Sequence, residues 1–461
     1  MEIRLIVRHL LMGNYLHLRS LYHIANNYIF RMTSSVHYID FNLSPCLPKE
    51  ANKIYAILSY LDWFAELSVT VDGFEWTREN AKAKLYELNP EEQTIVPLIV
   101  EIATYITEQR ILSEHVDTLR KHINSTESIS EWESNWVKAL LALADDDLYS
   151  FKSHLENHLA VFNSDVLTAV VLFFMNFYSG DSFGLKSTLS ALHLKDHYLS
   201  MCDAYLGFSM IELGQLDEAE PLLLKSRSSL PDNGWVIHAW IHFLDYYGRT
   251  HEGITYLRKM EPVLSKSAMR CHNQWHWALF EITAGDHGSA MLRYEEQIAN
   301  SGSLRFLIDD SASLLMTLEL RFLIDDSASL LMTLEIEGYS PTQNFWNMFE
   351  DDVKRFCNSH PFIFHDFHLW LACFKIGDQS LISQAIDSTT DFSTISSIYK
   401  RHGVSLCKAL LAFIKNDIAT ASDLLFSLKG FINQGYGGSV AQRQIFWKLL
   451  CKSLSLSNRK E

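Results

Sequence analysis

Residues 200–231 read SMCDAYLGFSMIELGQLDEAEPLLLKSRSSLP. Three landmarks stand out: Leu206-Gly207, then Gly214-Gln-Leu-Asp-Glu-Ala219, then Pro231. The middle landmark returns as Gly248-Arg-Thr-His-Glu-Gly253 and again as Gly285-Asp-His-Gly-Ser-Ala290, so the glycines are spaced 34 and then 37 residues apart. Each letter has a physical reason. Gly207 and Ala219 are small where two helices must approach closely. Gly214 ends the first helix in a conformation that a Cβ resists. Pro231 stops the second helix, because it has no N–H to donate and clashes with the preceding turn. The unit is a helical hairpin that stacks on its neighbours.

A period of about 34 residues with these landmarks is the tetratricopeptide signature. The fold expected is therefore all-α: a right-handed α-solenoid of tetratricopeptide-like helical hairpins, elongated and without a sheet. Downstream hairpins are expected to turn at Gly180, Gly214, Gly248, Gly285, Gly377 and Asn416. Residues 46–461 form the solenoid, clearest between 200 and 300. Residues 1–45 are a divergent N-terminal segment, His- and Tyr-rich and without repeat landmarks. From Pro48 the pattern is helical nearly throughout. Residues 51–71, for example, carry Ile54, Ile57, Leu58, Leu61 and Phe64 at helical spacing. Pro90 followed by Glu91-Glu92 marks a helix break and a fresh start.

Composition agrees. The chain has 461 residues, with 48% apolar residues but only 9 prolines and 19 glycines, which favours long helices over disorder. A net charge of −16 argues against nucleic-acid backbones and anionic membranes as partners. The seven cysteines show no CxxC spacing, which points to free thiols in a reducing compartment. The longest nearly unbroken apolar run, Val166 to Tyr178, is too short to span a bilayer. The expected location is cytoplasmic, although the N-terminal Arg4 and Arg8 with few acids are a composition that a mitochondrial presequence shares.

Residues 304–319, LRFLIDDSASLLMTLE, are repeated letter for letter at 320–335. Sixteen residues advance a helix by about 1600°, so a second copy in the same helix falls roughly 160° out of phase. Identity of this kind indicates a recent in-frame duplication or a sequence error, not a structural repeat. The second copy is expected to form a separate short helix or a bulged loop.

The run Trp235-Val-Ile-His238-Ala-Trp-Ile-His242, then His272-Asn273-Gln-Trp275-His276, resembles the tetratricopeptide repeat protein 38 family. The likeness continues at Asp310-Ser-Ala-Ser, Asp366-Phe-His368, Gly403-Val-Ser-Leu-Cys and Gly437-Gly438-Ser439-Val-Ala441-Gln442-Arg443. It covers roughly residues 50–455. It implies an all-helical solenoid and no assigned reaction or partner. The family carries one copy of the Asp-Ser-Ala-Ser helix where this chain has two, and residues 1–45 match nothing in it.

Two constellations could carry chemistry. His238/His242 and His272/His276 each have i,i+4 spacing and so share a helix face. Numbering the repeat from Gly234 puts His238, His242 and Asp245 at positions that line the concave groove of such solenoids, with His272, Asn273 and His276 facing it from the next repeat. Asp366 and His368 begin another such helix. Imidazoles one turn apart can chelate a transition ion or act as acid and base near neutral pH. They can equally pack and hydrogen-bond between helices. The second constellation is Ser439, Gln442 and Arg443 after a glycine pair. There Ser439 should cap a helix running to about Leu456, and the helix N-terminus with an early Arg could hold an anion or simply close the solenoid. The acidic runs Asp145-Asp146-Asp147, Asp309-Asp310 and Glu350-Asp351-Asp352 read as turns and helix starts.

No catalytic motif is present, and no cofactor is called for. The leading expectation is an interaction or scaffold protein that takes a peptide or protein partner in its concave groove. The alternative is an enzyme, or a metal- or small-ligand-binding protein, that uses the histidine-lined groove. Whether the four histidines converge within metal-ligand reach or disperse into separate contacts discriminates between them.

Overall fold

A computed structural model describes residues 113–124, 131–145, 147–192, 196–265, 267, 269–299, 314–356, 362–390, 402–433 and 435–457, with parts of 54–87. Residues 1–45, the break at Pro90 and residues 304–313 of the first duplicate copy lie outside the described residues. The described chain is all-α apart from one hairpin. In that hairpin β1 (Ser68–Val71) pairs antiparallel with β2 (Phe74–Thr77), with Ser68 opposite Thr77 and Val71 opposite Phe74. This corrects the C-terminal end of the helix read over 51–71, of which Ile54 and Ile57 are helical, and the expectation of no sheet. Ser-Val-Thr-Val and Phe-Glu-Trp-Thr are rich in β-branched and aromatic residues, and Asp72-Gly73 between them is a dipeptide suited to a two-residue hairpin loop.

The helices follow in order. They are α1 (Ser113–Asn124), α2 (Glu131–Ala144), α3 (Leu148–Val161), α4 (Val166–Ser179), α5 (Ser182–Ser190), α6 (Asp196–Glu212) and α7 (Leu216–Ser229). Then come α8 (Gly234–Tyr246), α9 (Thr250–Leu264), α10 (Arg270–Thr283), α11 (His287–Arg293) and α12 (Leu314–Ile336). The last are α13 (Gln343–Asn347), α14 (Glu350–Phe356), α15 (Ile363–Ile376), α16 (Gln379–Thr390), α17 (Val404–Ile414), α18 (Ile418–Ile432) and α19 (Val440–Leu456).

Most neighbours in sequence pack as pairs: α2 with α3, α4 with α5, α6 with α7, α8 with α9, α10 with α11, and α17 with α18. The turns fall where the sequence places them. Gly180, Gly214, Gly248, Gly285, Gly377 and Asn416 all have φ between 61° and 82°. The small-residue contact is also as read: a Cβ on Gly207 would lie 2.8 Å from Leu223 Cδ2, and Ala219 is fully buried. α7 ends at Ser229, two residues before Pro231.

The inward helices of these pairs do not form an open, elongated row. α6 touches α8, α8 touches α10, α10 touches α12, and α12 touches α15. α15 returns to α4, and Phe173 of α4 meets Tyr205 of α6 at 5.1 Å, which closes the circuit. The segment entering α19 sits inside it. The Gly438 N–H donates to the Phe177 carbonyl of α4, Tyr436 packs on Phe364 and Phe367 of α15, and Val440 N–H reaches Glu212 of α6. The segment entering the C-terminal helix, with the N-terminal part of α19, therefore packs into the middle of this circuit, while the far end of α19 at Cys451 and Leu456 is exposed.

The duplication is accommodated differently from expectation. α12 runs unbroken through the junction of the two copies, because Leu318-Glu319-Leu320-Arg321 offers no Gly or Pro to stop it. Every residue from Ile324 to Leu334 is buried, polar ones included. The second copy is thus a central packed helix, held between α10, α15 and α19.

Candidate functional site: four converging histidines

Local chemistry sets α8 in place. Asn233 caps it by accepting from the Trp235 and Val236 N–H groups, both at 3.0 Å. Gly234 lets the 267–269 turn approach: a Cβ there would lie 1.9 Å from Ser267 Oγ. Asn273 Nδ2 donates to the Gly234 carbonyl at 3.2 Å, and this bond fixes the register of α10 against α8. Trp275 Nε1 then donates to Ser329 Oγ at 3.1 Å, which fixes α12 against α10.

That register brings both histidine pairs together. His242 Nε2 and His238 Nε2 are 2.9 Å apart, and His272 Nε2 lies 3.0 Å from the same His238 nitrogen. The His276 ring is 4.5 Å from His242, 4.9 Å from His272 and 5.1 Å from His238, centroid to centroid. One potential ligand atom from each of the four lies within 4.8 Å of all the others. His238, His242 and His276 are buried, and His272 nearly so. Phe208, Trp235 and Trp275 wall the group with ring contacts of 4.6–5.8 Å.

Electrostatics favours neutral rings. Burial, and then the neighbouring imidazoles, hold His238, His242 and His276 well below the usual histidine range; Arg443 adds to this for His242. His272 differs in kind: its Nδ1 lies 2.7 Å from Asp326 Oδ2. A hydrogen bond donated by His272 Nδ1–H to Asp326 selects the Nδ1–H tautomer, in which a neutral ring turns its Nε2 lone pair toward the cluster. Burial pushes the Asp326 carboxyl up, while His272 and the Gln442 amide oppose that.

With one Nε2 lone pair directed inward by Asp326, three Nε2 atoms crowd together with few protons to share. His276 Nε2 is buried with no hydrogen-bond partner. A buried polar atom without a partner calls for an explanation, and an ion is one. The 2.9 and 3.0 Å separations at His238 Nε2 are those of imidazole–imidazole hydrogen bonds, and nitrogens this close could also converge on one ion after small ring rotations. Imidazole donors of this kind suit zinc, copper, iron or nickel.

The other predicted residues fall around this group. Asp245, one turn beyond His242, accepts from Gln444 Nε2 at 3.3 Å, and burial pushes its carboxyl up to about 6. A cavity of about 300 Å³ lies here, lined by His242, Asp245 and Tyr246 of α8, Ile211 of α6, and Val440, Ala441 and Gln444 of α19. Asn273 serves register, as described above. Asp366 and His368 are buried in α15, outside the four-histidine group. His368 Nδ1 donates to the Phe364 carbonyl at 2.8 Å, and burial takes its ring down to about 3.

Ser439 caps α19 as read, in a reciprocal capping box with Gln442. The anion at that helix N-terminus is part of the protein. Both Glu212 carboxylate oxygens lie 3.0 Å from Val440 N, and Arg443 pairs with Glu212 at 3.1 Å while also donating to the Gly438 carbonyl. Sequence reasoning missed Glu212, Asp325, Asp326 and His365; the last pairs through Nδ1 with Asp325 Oδ2 at 2.7 Å. The signal in the sequence is the Asp-Asp of the duplicated stretch, whose first copy, Asp309-Asp310, reads only as a turn or helix start.

No helix among the described residues is long and apolar enough to cross a membrane. Among the described residues, Cys202, Cys407 and Cys451 are free thiols. No protein-family model matches the chain.

Proposed function

We propose that this chain is a metal-binding protein whose centre is the group His238, His242, His272 and His276. The observation that carries the reading is their convergence: two i,i+4 pairs on adjacent helices, with ligand atoms within 4.8 Å of one another. The Asp326–His272 pair has the carboxylate–histidine arrangement that orients a metal ligand. An interaction protein with a peptide in its concave groove fits less well, because the start of α19 and the segment before it already pack between the inward helices. A partner would have to dock elsewhere or displace α19.

Around that centre we read the hairpins as a tetratricopeptide-like, right-handed solenoid wound tightly enough for α4 and α15 to meet. The resemblance to the tetratricopeptide repeat protein 38 family belongs to the same reading. So does a cytoplasmic location, where free thiols and imidazoles would meet buffered transition ions.

Full-length protein stripped with chelator and then offered Zn²⁺, Ni²⁺, Co²⁺ or Cu²⁺ should retain about one ion per chain after desalting, by elemental analysis. A His238→Ala/His276→Ala variant with an unchanged helical circular-dichroism spectrum should retain none. Wild-type protein that holds no ion above background ends the reading.

A further inference from the structure

We infer that the cavity beside His242 is the ligand chamber of the metal centre, taking a small molecule that gives the ion one nitrogen or oxygen lone pair and gives Asp245 an N–H or O–H. The inference rests on the four-histidine reading and deepens it. His242 belongs to both places: its ring is one of the four converging imidazoles, and it lines the cavity. Asp245 lies three residues on along α8, so its carboxylate shares that face and also lines the cavity.

Size and chemistry limit the occupant. About 300 Å³ is at the small end of ligand sites. Ile211, Val440 and Ala441 supply apolar wall, while Asp245 and Gln444 supply the polar groups. Gln444 Nε2 donates to one carboxylate oxygen of Asp245, which leaves acceptor capacity for a ligand.

Imidazole is a suitable probe, with a lone pair at one nitrogen and an N–H at the other. 1-Methylimidazole keeps the lone pair and lacks the N–H. Both are titrated into the full-length Co²⁺-loaded protein and followed by the visible d–d spectrum. Imidazole should bind about tenfold or more tighter, the usual effect of a hydrogen bond to a charged acceptor. Asp245→Ala should bring the two within about twofold, and Asp245→Asn, whose amide oxygen still accepts, should keep part of the preference. Gln444→Trp, which fills the chamber from its partly exposed rim, should abolish binding of both while Co²⁺ stays at one per chain; it also serves if Asp245→Ala fails to fold.

A Co²⁺-loaded protein that binds neither probe, or prefers imidazole equally with and without Asp245, overturns the chamber and leaves the metal centre standing. Failure of the wild type to hold Co²⁺ at all overturns both.

Discussion

At the residue scale, the buried imidazoles set a pH dependence whose sign can be worked out. His238, His242 and His276 are held well below 6.5 in the fold by burial and by one another, whereas in the unfolded chain they titrate near 6.5. Below that value the unfolded state takes up protons that the folded state refuses. Stability is therefore fully present above about pH 6.5 and is lost as pH falls, by up to roughly 1.4 kcal/mol per pH unit for each ring. Urea melts of metal-free protein between pH 8 and 5.5 should show this decline, and His238→Leu should make it shallower. A flat profile would mean that the rings accept protons in the fold. Glycines give a second contrast at this scale. Gly248 has φ 63° with open space around it, so Gly248→Ala should cost about 1 kcal/mol. Gly437 has φ 96°, and a Cβ there would lie 2.1 Å from the Tyr178 carbonyl oxygen. Gly437→Ala should cost several times as much, because backbone would have to move. Equal melting temperatures for the two variants would contradict the tight seating of the segment entering α19.

At the element scale, α19 is held by a buried ion pair as well as by apolar packing. Glu212 and Arg443 are both nearly inaccessible, and Glu212 also satisfies the Val440 N–H. Removing one partner leaves a buried charge without compensation, so Glu212→Leu should destabilise by about 3–5 kcal/mol. The double variant Glu212→Leu/Arg443→Met should recover a large part of that loss in a double-mutant cycle. Additive losses would place the two groups in independent environments. The elements show which features local chemistry made legible. The turns at Gly180, Gly214, Gly248, Gly285, Gly377 and Asn416, the cap at Ser439 and the end of α19 at Leu456 were all readable, because caps and left-handed turns depend on a few adjacent residues. The i,i+4 spacing made each histidine pair readable for the same reason. The approach of one pair to the other was only half readable, because it depends on Asn273 reaching the Gly234 carbonyl and on Trp275 reaching Ser329. Glu212 as the anion at α19 was hidden: it lies 228 residues from Val440, and no local pattern announces such a contact.

At the scale of the whole molecule, the closed circuit of inward helices makes the central helix α12 decisive, and the duplication within it can be tested directly. Deleting residues 304–319 or 320–335 gives the same sequence, since the copies are identical. Either way, one LRFLIDDSASLLMTLE remains before Ile336, with Asp325, Asp326 and Ser329 in their present places relative to the end of the helix. Those residues hold His365, His272 and Trp275, so the links from α12 to α15 and α10 survive the deletion. The copy removed is in effect the first, whose last six residues form the N-terminal end of α12. The shortened chain should therefore melt at the same temperature or higher, bind one transition ion per chain as the full chain does, and lose that ion on Asp326→Asn more readily than the unsubstituted shortened chain. Aggregation of the shortened chain, or loss of the ion alone, would show that the N-terminal extension of α12 is packed into the circuit and that both copies belong to the native structure.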